Sequence, residues 1–336
     1  MDFSAAVASQ PANLAASAVA TRKAVQDIDL DPWRSGLLAV IAMGAGSHSA
    51  HALVHRLTRY GRRAINVDAS DLDGRGAGAD LADCYVFVSE GGRSRETISA
   101  AKLVAGRPRL ALTNNPAGPL AEHVDVTVDL GHGPDSKVYT VGYTASLQSY
   151  GLLATALDTH DDGDDWDALP DLAAATLIEV APAATTLAGF LTEVTAIDFV
   201  ASCADRATAA EGALLFRESS RMMTADFNTY QYLHGPMESL TPAQAVVLIG
   251  DGREVELACY LVGRGIPTAL ITSQKVHPVD GLVVLEIPKA PALSSAILSM
   301  LPLQLTTGGL AAYKGLGIDG FLYHQDDTKI GPPPVE

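Results

Sequence analysis

Apolar positions in the first part of this chain gather in short segments, the first of them continuous, each followed by a polar loop. The first is 37–43 (LLAVIAM), and 63–67, 84–89, 109–113 and 124–128 continue the series. Runs of that length rich in Val, Ile and Leu predict strands covered on both faces. The stretches between them carry helical patterns to about Tyr60 and over 95–104, and a further helix is expected at 143–157. The pattern then restarts. A long helix over 170–191 precedes a strand at 197–202 and a helix at 207–223, and strands at 245–249, 268–272 and 283–287 alternate with helices at 253–264 and 293–310. Strands alternating with helices predict an α/β fold with mainly parallel, doubly wound sheets, here flavodoxin-like and present twice. The expected layout is a leading helix in 1–28, interrupted at Gln10-Pro11, a first α-β-α unit in 29–160, a second in 161–312, and a tail in 313–336 closing over the site.

Composition narrows this reading. The 336 residues are 48% hydrophobic and 18% charged, as in an ordinary globular protein. The net charge of −16 leaves no basic footprint for nucleic acid, so an anionic ligand would need a local positive site. No apolar run in the sequence suggests a bilayer span, and the Ala-rich start places Arg22 after its apolar part, the wrong order for a secretory leader. Cys84, Cys203 and Cys259 lie far apart with no metal-type spacing, which suits a reduced, cytoplasmic setting. The acidic run 158–167 reads as a solvated linker between the halves.

Candidate chemistry collects in three places. Gly44-Ala-Gly46-Ser47-His-Ser49 and Ser89-Glu90-Gly-Gly92-Arg93-Ser94 both follow a strand and open a helix, where free N–H groups and the helix dipole favour an anion. Ser49 stands where the third glycine of a dinucleotide fingerprint would be. The third place is 211–236, EGALLFRESSRMMTADFNTYQYLHGP. Glu211 and Glu218 lie seven residues apart, nearly two helical turns, and so share a face. A carboxylate and the imidazole of His234 are the residue types of a general base and a general acid.

Taken together these segments resemble the SIS (sugar isomerase) family over nearly the whole chain. The similarity points to the isomerase domain of glutamine–fructose-6-phosphate aminotransferase and to stand-alone deaminases and deglycases. The two Gly/Ser loops match the family's phosphate loops, Tyr139-Thr140-Val-Gly-Tyr-Thr144 a further binding segment, EGALLFRE its E-G-A-L-K-L-K-E, and His234-Gly-Pro its H-G-P. The resemblance implies a base at Glu218 that moves a proton between C1 and C2 of an open-chain sugar. It implies a ring-opening role for His234, supplied across a homodimer interface, and a Schiff-base lysine at Lys329. Substrate contacts are implied at Gly44, Gly46, Ser47, Ser49, Ser89, Glu90, Gly92, Arg93, Ser94, Thr97, Thr140 and Glu211, with no metal or organic cofactor. The partners expected are a sugar or sugar phosphate and a second copy of the chain, with neither nucleic acid nor membrane. Glu90 and Gly91 replace the family's Gln and Ser, and Val141 and Leu215 replace two lysines. The chain enters the sugar-binding half directly from Met1-Asp2, so no glutamine-hydrolysing domain is expected. The alternative is a sugar-binding regulatory protein without catalysis.

Overall fold

A computed structural model describes residues 1–74, 80–277, 279–323, 325 and 327–331, so part of the expected tail segment lies outside the described residues. The chain opens with helices α1 (Phe3–Ala8) and α2 (Gln10–Gln26), separated at Ser9 and restarted by Pro11 in the first turn. The first half then runs β1 (Leu38–Ala42), α3 (Ala45–Arg59), β2 (Ala64–Asp68), α4 (Ala69–Asp73), β3 (Cys84–Val88), α5 (Arg95–Leu103), β4 (Arg109–Thr113), β5 (Val126–Asp129) and α6 (Val141–Asp158). The second half runs α7 (Leu169–Phe190), β6 (Ala196–Ala201), α8 (Arg206–Ser220), β7 (Met223–Asn228), α9 (Thr229–Leu233), β8 (Gln244–Ile249), α10 (Arg253–Val262), β9 (Thr268–Thr272), β10 (Leu282–Glu286) and α11 (Ala292–Tyr313).

Each half contributes a five-stranded sheet, ordered β2-β1-β3-β4-β5 and β10-β9-β8-β6-β7, and every strand pair within them is parallel. Counted from its own first strand, the second sheet has the same order as the first. The duplication and the doubly wound class expected from the sequence are therefore present.

Strand side chains alternate between two interiors, as the pleat requires. Leu38, Val40, Val86 and Leu112 of the first sheet join Phe199, Val247 and Ile271 of the second in one continuous core. Ala39, Ile41, Tyr85 and Phe87 face the opposite way, against Ile98 and Ala101 of α5. Val200, Val246 and Leu248 do the same against Leu257 and Leu261 of α10. The halves thus share one core, in which α3 packs on α8 and α11 packs on α6 and α7. The all-buried strands are the continuous apolar runs of the sequence.

Three expectations change. Strand β7 was not foreseen; 207–223 read as helix throughout. Only Thr224 of its six residues is buried, so its place at the sheet edge is set by pairing with β6, which the period of apolar residues does not record. The acidic run is no free linker. Arg56 is 3% exposed, and its guanidinium donates to both oxygens of Asp158 at 2.7 and 3.1 Å and to the His160 carbonyl at 2.8 Å, with Asp162 also paired to it. Trp166 of the same run fills the space over Gly151, where a Cβ would lie 2.1 Å from the indole. Finally, α7 with its short continuation to Glu193, and α11, are long and apolar enough to cross a membrane, contrary to the reading of the bare sequence. The α11 stretch is 72% buried and packs against α7 in this fold.

Candidate active site

The carboxyl ends of the first sheet, the mouth expected in an open parallel sheet, hold most of the candidate residues. Gly44 starts the loop after β1 with φ +53°, and Gly92 in the loop after β3 has φ +62°, both left-handed positions that disfavour a side chain. At Gly92 a Cβ would also lie 3.0 Å from Thr113 Oγ1. Gly46 and Ser47 follow in the first turn of α3, where the Ser47 hydroxyl donates to Asp68 at 2.5 Å. Ser89 Oγ accepts from the Ser94 N–H at 3.4 Å.

Several candidates are committed to internal contacts. Ser49 is buried and bonded to the Gly46 carbonyl at 2.8 Å and to Tyr150 at 2.7 Å. Thr97 is fully buried and donates to Ser94 Oγ at 3.0 Å. Thr140 gives its hydroxyl to Asp135 at 2.6 Å, and the same carboxylate takes the Gly142 N–H at 2.9 Å. These residues build the loops. Val141 and Leu215, at the positions of the two missing lysines, are buried and bring no charge.

The C-terminal tail lies across the second loop. Lys329 pairs with Ser94 in an antiparallel bridge, the Arg95 N–H donates to the Thr328 carbonyl at 3.1 Å, and the Ile330 N–H donates to the Arg93 carbonyl at 2.9 Å. Arg93 lies beneath this strap, its Nη2 buried against Gly331. Lys329 itself reaches back, its Nζ 3.4 Å from the Tyr139 hydroxyl. Tyr139 hydrogen-bonds Glu90, and burial and that carboxylate hold its phenol well above the usual range. The other side of Glu90 is met by His132 Nε2 at 3.2 Å. Burial works against a charge on His132, but Glu90 outweighs it and raises the imidazole. Glu90 thereby has an imidazole partner rather than standing bare in the loop.

Helix α8 supplies the facing wall. Glu211, 3% exposed, meets His48 Nδ1 of α3 at 3.2 Å, joining the two halves. Burial raises Glu211, and Glu211, against the burial of His48, raises the imidazole in turn. Two turns on, Glu218 is half-buried. Burial first and the Glu211 charge second push its carboxyl up to about 7, opposed by His48 and Lys329. Glu218 and Lys329, 111 positions apart in sequence, therefore act on one another at the mouth of the first half.

His234 stands apart from this cluster. It caps the short helix α9 beyond the edge strand β7, its side chain exposed and without a hydrogen-bond or ion-pair partner among the described residues. The charges acting on Glu218 are those of Glu211, His48 and Lys329. The sequence reading assigned no role to His48, His132, Asp135 and Tyr139. Asp135 to Thr140 is a polar stretch between β5 and α6, and that loop position was the available signal. Among the described residues no group of three or more His, Cys, Asp or Glu side chains is placed to hold a metal ion.

Two doubly wound halves on one core, with Gly/Ser loops at the mouth of the first, define the class as a duplicated α/β fold. The chain belongs to the SIS domain family, whose profile matches residues 33–157 and 190–314. It is 24% identical over 308 residues to glutamine–fructose-6-phosphate aminotransferase (isomerizing) of Corynebacterium diphtheriae, a match covering 84% of this chain and 49% of that protein. The chain thus spans about half the length of the curated relatives it matches. Among solved structures, the C-terminal domain of glucosamine-fructose-6-phosphate aminotransferase from Francisella tularensis superposes with a TM-score of 0.83 at 16% identity, covering 95% of this chain and 98% of that one. Tagatose-6-phosphate ketose/aldose isomerase from Escherichia coli does so with 0.80 at 16% identity, covering 97% and 96%.

Proposed function

We propose that this protein moves a proton between C1 and C2 of an open-chain hexose or hexosamine phosphate, as an aldose–ketose isomerase or an amino-sugar deaminase or deglycase. The observation that carries the reading is Glu218, a half-buried carboxyl held near 7 and electrostatically coupled to a lysine strapped over the Gly/Ser loop. A base of that strength is half ionised at neutral pH, where proton abstraction next to a carbonyl needs it. In the proposed sequence the Lys329 amine condenses with the C2 carbonyl of a ketose and releases water. Ammonia then replaces Lys329 on C2 and frees its amine. Glu218 takes the proton from C1, the electron pair passes into the C1–C2 bond as an enolamine, and reprotonation at C2 gives the 2-amino aldose. The same steps in reverse release ammonia and, by hydrolysis of the lysine adduct, the ketose, whereas isomerisation passes through the enediol of the free ketose with no lysine adduct. The loop N–H groups from Gly44 to Ser47 and from Ser89 to Ser94, with Arg93, hold the phosphate. His234, exposed and unpartnered in one chain, opens the sugar ring from a second subunit of a homodimer. Family membership and the names of the relatives support this reading.

A second reading, binding without catalysis, is favoured by the Glu90–His132 pair in the anion loop and by the apolar Val141 and Leu215. Incubation with fructose 6-phosphate, glucose 6-phosphate, glucosamine 6-phosphate and the unphosphorylated sugars in D₂O separates the two. Deuterium at C1 or C2, lost in Glu218→Gln, is the expected result. Ligand-induced stabilisation with no exchange would mean binding alone, and sedimentation of an active monomer would remove the trans role of His234.

A further inference from the structure

The second half has a crevice of its own, which the proposed chemistry leaves unused. In an open parallel sheet a ligand sits outside the carboxyl ends of the strands, where the strand order reverses. In the first sheet that point lies between β1 and β3, flanked by the two Gly/Ser loops. In the second it lies between β6 and β8. A cavity of about 180 Å³ opens there, with Asp205 after β6, Asp251 after β8, Thr272 at the end of β9, and Ser295 and Ser299 on α11 in its wall. Ile249, Ile271 and Ile287 form its apolar side.

The charge at this second switch point is opposite to what the first half favours. Among the described residues no Lys, Arg or His lines the cavity, although the Lys289 charge reaches Asp251, and three carboxylates stand in or beside it. Two are satisfied within the protein. Asp251 accepts from the Thr272 hydroxyl at 2.6 Å, the Ser273 N–H at 2.7 Å and the Ser273 hydroxyl at 2.5 Å. Glu254, buried behind the loop, accepts the hydroxyls of Ser202 at 2.8 Å and of Thr229. Asp205 is different. Ser299 is its hydrogen-bonding neighbour, but its Oδ1 is buried with no partner among the described residues. A buried carboxylate oxygen left without a donor calls for one from outside the protein. A divalent metal ion would need about six oxygen ligands, and here one carboxylate is free.

We propose that this second-half crevice binds a small hydroxylated primary ammonium compound, its ammonium on Asp205 and a hydroxyl on Ser295. The isoleucine wall receives the C–H face of a saturated ring, and an ammonium with several N–H groups meets the vacant Oδ1. Burial, together with Glu254 and Asp251, holds Asp205 up to about 7, so a cation relieves a carboxylate that its neighbours disfavour. The duplicated fold then offers two mouths of opposite preference, an anion-accepting one in the first half and a cation-accepting one in the second.

The test is calorimetric titration at pH 7, where most of the D-glucosamine amine is protonated, with D-glucosamine, its neutral twin D-glucose and MgCl₂, on the wild type and three variants. Asp205→Asn removes the charge, Ser295→Phe plugs the cavity from α11, and Ser47→Phe plugs the first-half mouth. Circular dichroism and melting confirm that each variant is folded. Saturable glucosamine binding is expected, at least tenfold stronger than glucose. Asp205→Asn and Ser295→Phe should each weaken it at least tenfold, and Ser47→Phe should leave it unchanged. The proposal is overturned by absent glucosamine binding, by glucose binding as well, by saturable Mg²⁺ binding that displaces glucosamine, or by loss in Ser47→Phe with retention in Asp205→Asn. None of these outcomes bears on deuterium exchange at Glu218, so this site and the proposed reaction stand or fall separately.

Discussion

Replacing Glu218 by Gln should stabilise the protein while removing its chemistry. The carboxyl is held at about 7 rather than 4.5, chiefly by burial and then by Glu211. At 1.36 kcal/mol per pK unit, the ionised form at pH 8 is disfavoured in the folded state by about 3 kcal/mol. Water reaching a half-buried group screens part of that, so about 1–2 kcal/mol is the expected gain for the neutral amide. The sign follows from linkage. A carboxyl whose pKa is raised on folding imposes nothing below pH 4.5, where both states are protonated, and its full penalty above about 7. Urea unfolding of wild type and Glu218→Gln should therefore nearly coincide at pH 4.5 and separate progressively toward pH 8, the variant being the more stable. Equal stability at pH 8, or a difference independent of pH, would refute the account of the site's electrostatics. The same variant should lose deuterium exchange by 10²-fold or more, in line with removal of a general base.

Three further outcomes follow from the same geometry. The exchange rate at subsaturating sugar phosphate should rise with pH to a plateau above about 7, falling tenfold per unit on the acid side, as a stopped pH series would read. Arg56→Ala should cost about 3–5 kcal/mol in urea unfolding, because it leaves Asp158 and Asp162 uncompensated in a largely buried setting, whereas Arg22→Ala, at an exposed pair with Asp167, should cost under about 1 kcal/mol. Cyanoborohydride with fructose 6-phosphate should attach the sugar to Lys329 in the wild type, and peptide mapping should find no adduct in Lys329→Arg. Labelling of other lysines alone would remove the Schiff-base step.

Much of this molecule is legible in its amino-acid order. Continuous apolar runs such as 37–43 and 84–89 mark strands buried on both faces, because nothing else in a parallel sheet tolerates them. The restart of strand–helix alternation after the acidic run announced the duplication, and the helical period placed Glu211 and Glu218 on one side of α8. Interactions carried across the chain were not legible. An edge strand such as β7 owes its form to hydrogen bonds with β6 rather than to its own composition. The acidic run looked solvated because charge alone was visible; burial of Arg56, more than a hundred residues earlier, turns it into a clamp.

The candidate site divides in the same way. Local order identified the Gly/Ser turns, because left-handed backbone at Gly44 and Gly92 leaves few alternatives. Only the tertiary structure decided which hydroxyls remain available and which, like those of Ser49 and Thr97, are used to hold the loops together. It alone brought Lys329 over Ser94, set His132 against Glu90 and left Asp205 Oδ1 without a partner among the described residues. The physical reason is range. Backbone preference and helical or strand period are properties of a few neighbouring residues, whereas burial and charge pairing, which set the state of Glu218, depend on groups that folding brings from distant parts of the chain.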